Sequence, residues 1–141
     1  MAQERIYIEM IEAPPLEKLT RFQTELIEAG GPITDAVAER EVVGWCDIFP
    51  YANERQKHRG ALGMGLRKDY RGRGLGSRLL THTLDQAKRF GLEKVELYVY
   101  TSNLPAIALY EQHGFEHEGL LKRYRKLDGQ TFDCAAMAKF F

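Results

Sequence analysis

Cysteine, proline and net charge are all scarce in this chain, and the shortages close off several classes of protein. Among 141 residues there are two cysteines, Cys46 and Cys134, forming neither a CxxC pair nor a zinc-type spacing. The sequence therefore offers no disulfide framework and no cysteine-built metal site, and a reducing, cytoplasmic setting is expected. No apolar run approaches the ~20 residues that a membrane-crossing helix requires. Residues 1–10 hold Glu4, Arg5 and Glu9 where a secretory leader would carry its apolar centre, so no signal peptide is expected either. The 20 Lys+Arg are matched by 20 Asp+Glu, which argues against a generally basic nucleic-acid binder. Five prolines leave room for uninterrupted helices and strands.

What is present is the composition of a globule, 44% hydrophobic and 28% charged, long enough for one core and too short for two domains. The neutrality is a cancellation. Residues 1–54 carry 11 acidic and 4 basic side chains, whereas residues 55–141 carry 9 acidic and 16 basic. A division of that size asks for a functional explanation.

Periodicity divides the chain into alternating elements. Ile6, Ile8 and Met10 alternate as a short strand does. Pro14-Pro15 then opens a helix with Leu16, Leu19, Phe22, Leu26 and Ile27 at helical spacing, stopped by Gly30-Gly31-Pro32. Ile33–Ala38 and Val42–Phe49 read as strands joined by the polar turn Glu39-Arg40-Glu41. Ala61–Leu66 is another strand, and Gly63 and Gly65 inside it signal a bulge or a close approach to its backbone. Leu75, Leu79, Leu80, Leu84, Ala87 and Phe90 define an amphipathic helix closed by Gly91. Val95–Tyr100 is a strand with Val95, Leu97 and Val99 on one face. Asn103 and Pro105 open a short helix reaching His113. A hairpin of residues 115–126 and 131–140, turned at Asp128-Gly129, completes the chain.

The chemistry concentrates in Leu66-Arg67-Lys68-Asp69-Tyr70-Arg71-Gly72-Arg73-Gly74-Leu75-Gly76-Ser77-Arg78, which lies between a strand and a helix. Glycines let the backbone turn its N–H groups inward, and the helix start adds unpaired donors and the positive end of its dipole. Arg71, Arg73 and Arg78 add charge, so the tract reads as a polyphosphate pocket. It is not a P-loop, because no GxxxxGK[ST] string occurs. It is not a dinucleotide fingerprint, because the third glycine comes one residue early. An RNA-binding arginine-glycine segment would be disordered, whereas this one is held between two apolar-patterned elements.

The spacing Arg71-x-x-Gly74-x-Gly76 resembles the acyl-CoA-binding motif of the GCN5-related N-acetyltransferase (GNAT) family. Asn103, followed by Ala106-Ile107-Ala108-Leu109-Tyr110 and Gly114-Phe115, is similar to that family's second signature. The resemblance runs from Val42 to the C-terminus. It implies an α/β (α+β) fold, a single domain over residues 1–141. The sheet would be mixed, mostly antiparallel and twisted, with about six to seven strands flanked by about three helices. It implies acetyl-CoA as cosubstrate and a primary amine, small molecule or protein N-terminus, as acceptor, with no metal and no nucleic-acid or membrane partner. Members are often dimers, so a homodimer is a further expectation.

Carried onto this chain, the resemblance assigns the pyrophosphate to the backbone of Arg71, Gly72, Arg73, Gly74, Leu75 and Gly76, continued by Ser77 and Arg78. The pantetheine arm would lie as a pseudo-strand along Met64, Leu66, Arg67 and Lys68. The Leu66 N–H would polarise the thioester, Asn103 would contact the arm, and Tyr110 would protonate the leaving thiolate. Without the resemblance, Tyr110 reads as an anchoring aromatic and Asn103 as an N-cap.

Deprotonation of the acceptor has no obvious agent. An alkyl amine of pKa ~10 is only about 0.1% neutral near pH 7, and where some members carry a glutamate this chain has Tyr98. Asp47, on one strand face with Trp45, is the candidate base and Glu96 a weaker one; each reads equally as a solvated strand carboxylate. Glu39, Glu41, Asp47 and Glu54 would together form an acidic rim for a cationic acceptor. Lys122-Arg123-Tyr124-Arg125-Lys126 is either a solvated hairpin face or a contact for the ribose 3′-phosphate. Cys46 and Cys134 read as packing, and Trp45 as core or as a wall of the acceptor pocket. His113 and His117 are separated by the helix-breaking Gly114 and lack a third ligand. The first two strands are separated by about 22 residues, room for one helix rather than the family's two. The acceptor region is therefore abbreviated. With Tyr98 in place of a carboxylate, a non-catalytic acyl-CoA-binding module is the alternative reading.

Overall fold

The computed structural model describes residues 24–141; the expected strand at Ile6–Met10 and most of the helix after Pro15 lie outside the described residues. The last helical residues, 24–28, run into Gly30-Gly31-Pro32 as the sequence predicts. Gly30 sits at φ 72°, and the Gly31 N–H donates to the Leu26 carbonyl at 2.8 Å, closing the helix.

From there the elements are β1 (Ile33–Ala38), β2 (Glu41–Pro50), β3 (Arg59–Leu66), a 3-10 turn at Lys68–Tyr70, α1 (Leu75–Phe90), β4 (Lys94–Tyr100), α2 (Leu104–Gln112), β5 (Glu116–Leu127) and β6 (Gln130–Phe140). The strands form one six-stranded sheet in the order β1-β2-β3-β4-β6-β5. Every neighbouring pair is antiparallel except β3 with β4. Mixed topology and mostly antiparallel pairing match the expected fold class. The β1–β2 turn is tighter than the sequence predicts. Ala38 pairs with Glu41, leaving a two-residue loop in which Glu39 and Arg40 take φ 52° and 66°. This left-handed pair suits the twist of a hairpin even without the usual glycine. Among the described residues no helix is long and apolar enough to cross a membrane.

Both helices pack on one face of the sheet. α1 buries Leu79, Leu80, Leu84 and Ala87 against Cys46 and Ile48 of β2 and Val95, Leu97 and Val99 of β4. Tyr110 of α2 and Phe115 join the same cluster, with Ala135 and Met137 of β6. The alternation of β4 dictates this arrangement: odd residues enter the core, while Glu96, Tyr98 and Tyr100 face the other way.

β3 and β4 part company early. They pair only over Arg59–Ala61 with Lys94–Glu96. β3 then continues to Leu66 on β2, and β4 continues to Tyr100 on β6. A wedge opens between two parallel strands, each fixed along its outer side. The Arg67 N–H donates to Val43 of β2 at 2.8 Å, and Gly65 and Gly63 stand opposite Trp45 and Asp47. By the alternation of an antiparallel ladder, the N–H and C=O groups of Leu62, Met64 and Leu66 point away from β2 and into the wedge.

Leu80 has no exposed surface, so Leu80→Ala leaves a cavity under α1 and should cost about 3 kcal/mol in guanidinium unfolding. Leu104→Ala, at a residue 68% exposed, should cost less than about 0.5 kcal/mol in the same measurement.

Candidate functional site

The start of α1 is built to present backbone donors. Gly74 is its N-cap at φ 78°, no side chain caps it, and its first turn contains no acid. The first intrahelical bond runs from the Arg78 N–H to the Gly74 carbonyl, 3.2 Å. The N–H groups of Leu75, Gly76 and Ser77 therefore precede the ladder and point out of the helix end. Gly72 also lies in the left-handed region, at φ 73°. A Cβ at either glycine would meet nothing within 4 Å, so backbone conformation, not space, demands glycine here. Arg73 and Arg78 are exposed at the rim, with the Arg73 guanidinium 5.5 Å from the Tyr70 ring centroid. Arg71 turns back, its Nε donating to the Leu66 carbonyl at 3.0 Å, which pins the tract to the end of β3.

This helix start, the wedge and α2 converge. A Cβ on Gly76 would stand 3.6 Å from Leu109 of α2 and 3.9 Å from Met64 of β3. Asn103 caps α2, its Oδ1 accepting the Ala106 N–H at 3.3 Å. Tyr110, seven residues on and so on the same side of the helix, is buried with its ring 5.6 Å from that of Phe115. Burial, and secondarily the charge of a Cys46 thiolate, push the Tyr110 phenol above its ordinary range. Tyr110 shares the core cluster with Cys46, which stands opposite Met64 across the β2–β3 ladder, and Met64 and Leu66 of β3 pack against that cluster.

Two further side chains of the tract, those of Arg67 and Ser77, are engaged by protein partners. Arg67 pairs with Glu41 at 3.0 Å and Asp69 at 3.1 Å, while its backbone bonds β2. Lys68 is exposed in the 3-10 turn. The Ser77 hydroxyl lies 3.1 Å from Nε2 of His113. That contact was not legible in the sequence, because nothing in the spacing relates a helix start to the C-cap of a helix 36 residues later.

The opposite face of the sheet carries the carboxylates. Asp47 lies beside Trp45 and above Gly63; a Cβ on Gly63 would stand 3.2 Å from the Trp45 ring and 3.4 Å from Asp47 Oδ1. Burial, then the negative charge of Asp35, push the Asp47 carboxyl up to about 7. Asp35 escapes sequence analysis because only the β1–β2 register, Asp35 opposite Trp45, brings it near. Glu96 is not available as a base. Arg59 donates to both its oxygens at 2.7 and 2.8 Å, and the Tyr51 hydroxyl donates at 2.8 Å. Burial alone would raise its pKa, but the bonds from Tyr51 and Arg59 outweigh burial and hold it below the ordinary value.

The structure also places the remaining candidates. The acidic rim is not continuous, since Glu41 pairs with Arg67 and Glu54 with Lys57 at 2.8 Å. Within the basic cluster, Tyr124 packs on Tyr98 at 5.3 Å and Arg125 stacks over Tyr100 at 5.2 Å. Both belong to the face across the sheet from the glycine tract, which removes them from the ribose phosphate. The two histidines diverge, His113 toward α1 and His117 onto Glu111 at 3.1 Å. Among the described residues no group of three or more His, Cys, Asp or Glu could hold a metal ion. The Cys46 thiol, with no exposed surface, is pushed up to about 12 mainly by burial, the state of an inert packing residue.

Comparison with known proteins agrees with this geometry. Residues 3–115 match the model of the Acetyltransferase (GNAT) family. The L-amino acid N-acetyltransferase AaaT of Escherichia coli (strain K12) is 29% identical over 142 residues, covering 98% of this chain and 86% of that protein. The crystal structure of a GNAT-family acetyltransferase from Streptococcus pneumoniae superposes with a TM-score of 0.91 at 26% identity, covering 99% of this chain and 87% of that one. A phosphinothricin acetyltransferase from Sinorhizobium meliloti, in complex with AcCoA, superposes with a TM-score of 0.80 at 25% identity over 92% of this chain and 70% of that one. The family model spans most of the chain and the relatives match over nearly all of it, so the chain belongs to the GNAT family of acetyl-CoA-dependent acyltransferases.

Proposed function

We propose that residues 1–141 act as one acetyltransferase domain with a shortened acceptor region, passing the acetyl group of acetyl-CoA directly to a primary amine in a ternary complex. The observation that carries this reading is the wedge between β3 and β4, with the uncapped start of α1 close to its β3 arm and Tyr110 in the core cluster on which Met64 and Leu66 of that arm pack. An acyl-pantetheine arm, with its two amides, is the extended polar chain that such an edge accepts. The N–H and C=O groups of Met64 and the N–H of Leu66 face it from β3, and Asn103 faces it from α2. The pyrophosphate sits on the N–H groups from Arg71 through Gly76, with Ser77 and Arg78 beside it. Arg67 and Lys68 continue the β3 side of the arm's path, the Arg67 side chain held by Glu41 and Asp69.

The acceptor enters from the opposite face, over Gly63, where glycine leaves the backbone uncovered between Trp45 and the wedge. It arrives as an ammonium drawn to Asp47 and gives up one proton to that carboxylate, directly or through water. The neutral nitrogen attacks the thioester carbon, and the Leu66 N–H holds the oxygen as it gains charge. Collapse breaks the C–S bond, Tyr110 gives its proton to the thiolate, and the proton that the nitrogen sheds as the amide forms returns through water to the phenolate. Burial keeps Tyr110 a phenol at neutral pH, so that proton is present when the sulfur leaves. A base titrating near the working pH is the most effective kind, which is what the burial of Asp47 beside Asp35 provides. AaaT acts on L-amino acids by its name; for this chain a small amine or a protein N-terminus are both within the reading.

Two substitutions test it with thiol release from acetyl-CoA over a panel of amines and peptides. Tyr110→Phe should lower kcat about 100-fold while the KM for acetyl-CoA stays within about threefold; an unchanged kcat removes Tyr110 from the chemistry. Asp47→Asn should lower kcat/KM about 100-fold and abolish the rise in activity through pH 7. The same variant should gain stability at pH 8. A carboxyl whose pKa is raised by folding opposes folding above its unfolded value, so the gain should shrink as the pH falls and be nearly gone below about pH 3, where Asp47 is protonated in both states. Thermal melting at the two pH values reads this sign directly.

A further inference from the structure

His113 occupies a position that neither the family assignment nor the reaction above explains. It is the C-cap of α2, and its half-buried ring reaches across to α1. Nε2 lies 3.1 Å from the Ser77 hydroxyl and 3.1 Å from the Thr81 hydroxyl. Nδ1 lies 3.0 Å from the Leu109 carbonyl. The His113 carbonyl accepts the Lys139 ammonium at 2.7 Å, which fixes the residue to β6 as well.

The donor and acceptor inventory of this cluster has one consequence. A carbonyl oxygen only accepts, so the Leu109 contact assigns the proton of the neutral ring to Nδ1 and leaves Nε2 with a single lone pair. Two hydroxyls, one helical turn apart on α1, compete for that one acceptor. Only one of them can donate to it at a time; the other has a proton to offer elsewhere. Ser77 is the third residue of the helix, at the ring of N–H groups described above, whereas Thr81 is a turn further in and exposed.

Resting on the proposed phosphate site, we propose that His113 is a positioning residue for the cofactor's pyrophosphate, acting through Ser77 and Thr81. Without cofactor, the ring holds the Ser77 hydroxyl and with it the first turn of α1 against α2. When the pyrophosphate arrives, Thr81 donates to Nε2 and Ser77 turns its proton to a phosphate oxygen, so that no polar group loses its partner in the exchange. The same ring ties the phosphate end of the site to the helix bearing Asn103 and Tyr110.

The test compares acetyl-CoA with S-acetylpantetheine, which has the thioester and arm but no pyrophosphate, in the full-length protein. His113→Leu should raise the KM for acetyl-CoA about tenfold with kcat within twofold, and leave kcat/KM for S-acetylpantetheine unchanged. His113→Gln, which restores an acceptor near Nε2, should recover most of the loss. Thr81→Val is a second variant at an exposed position. It should raise the acetyl-CoA KM about threefold, and that effect should vanish in a Ser77→Ala background, because the exchange then has no first partner. Equal losses with both acyl donors, or full acetyl-CoA binding by His113→Leu and Thr81→Val, overturn the proposal while leaving the acetyltransferase reading in place. An unsubstituted protein that bound no CoA would overturn both.

Discussion

The structure turns on the early separation of two parallel strands. A sheet normally closes every such pair, because an unmatched backbone N–H or C=O is costly when buried. Here the closure stops at Ala61 opposite Glu96, and what lies on either side of the wedge explains why it stays open. β3 is bonded to β2 along its whole length, and β4 to β6 along its whole length, so neither strand can swing across to the other. Arg59, bonded through Glu96 to β4, ties the apex on one face. On the other face Met64 and Leu109 stand near Gly76 at the start of α1. The gap is therefore fixed by the pairing on its two outer sides, and the groups lining it are those that the proposed reaction uses to hold the pantetheine arm.

That geometry also accounts for the position of the glycines. Those at 72 and 74 give the backbone conformations that turn N–H groups outward before α1 begins. Gly63 differs, since its absent side chain keeps β3 low beside Trp45 and Asp47, on the face where the proposed reaction brings in the acceptor. The zero net charge resolves along the same division. Several acids of the first 54 residues are engaged by basic partners from later in the chain, Glu41 by Arg67 and Glu54 by Lys57. Asp35 and Asp47 stay together on one face, and Arg73 and Arg78 stay at the helix start on the other side of the sheet.

Much of this was legible in the sequence because it is local. Strict alternation at Val95–Tyr100, helical spacing from Leu75 to Phe90 and the Gly72-Arg73-Gly74 turn are all properties of a few consecutive residues, and each element formed where its pattern lies. What failed to show depends on register or on contacts between distant elements. Glu96 and Asp47 look alike as strand carboxylates, yet Arg59 and Tyr51 bond one of them, while Asp35 adds its negative charge to the other. Ser77 has the position of a phosphate ligand, and only packing of α1 against α2 shows that it already has a partner in His113. The tight Glu39-Arg40 turn lacked the asparagine and glycine that usually announce it, since pairing of β1 with β2 imposes the left-handed conformation on residues that do not prefer it.

The two carboxylates of the acceptor face show how one sheet surface separates structural from chemical work. Both are partly buried, so both bear a desolvation penalty on their charged forms. For Glu96 the penalty is outweighed by a phenol and an arginine, which favour its ionised form and make it a strut at the apex of the wedge. For Asp47 nothing among the causes of its shift offsets burial; a second carboxylate adds to it. A group left in that condition opposes folding at neutral pH, and a chain optimised for stability alone would replace it with an amide or an apolar residue. Its place beside Trp45 and the uncovered backbone of Gly63 supplies the reason to keep it. There a carboxylate that readily takes a proton near pH 7 meets the part of the site where, in the proposed reaction, an ammonium must lose one.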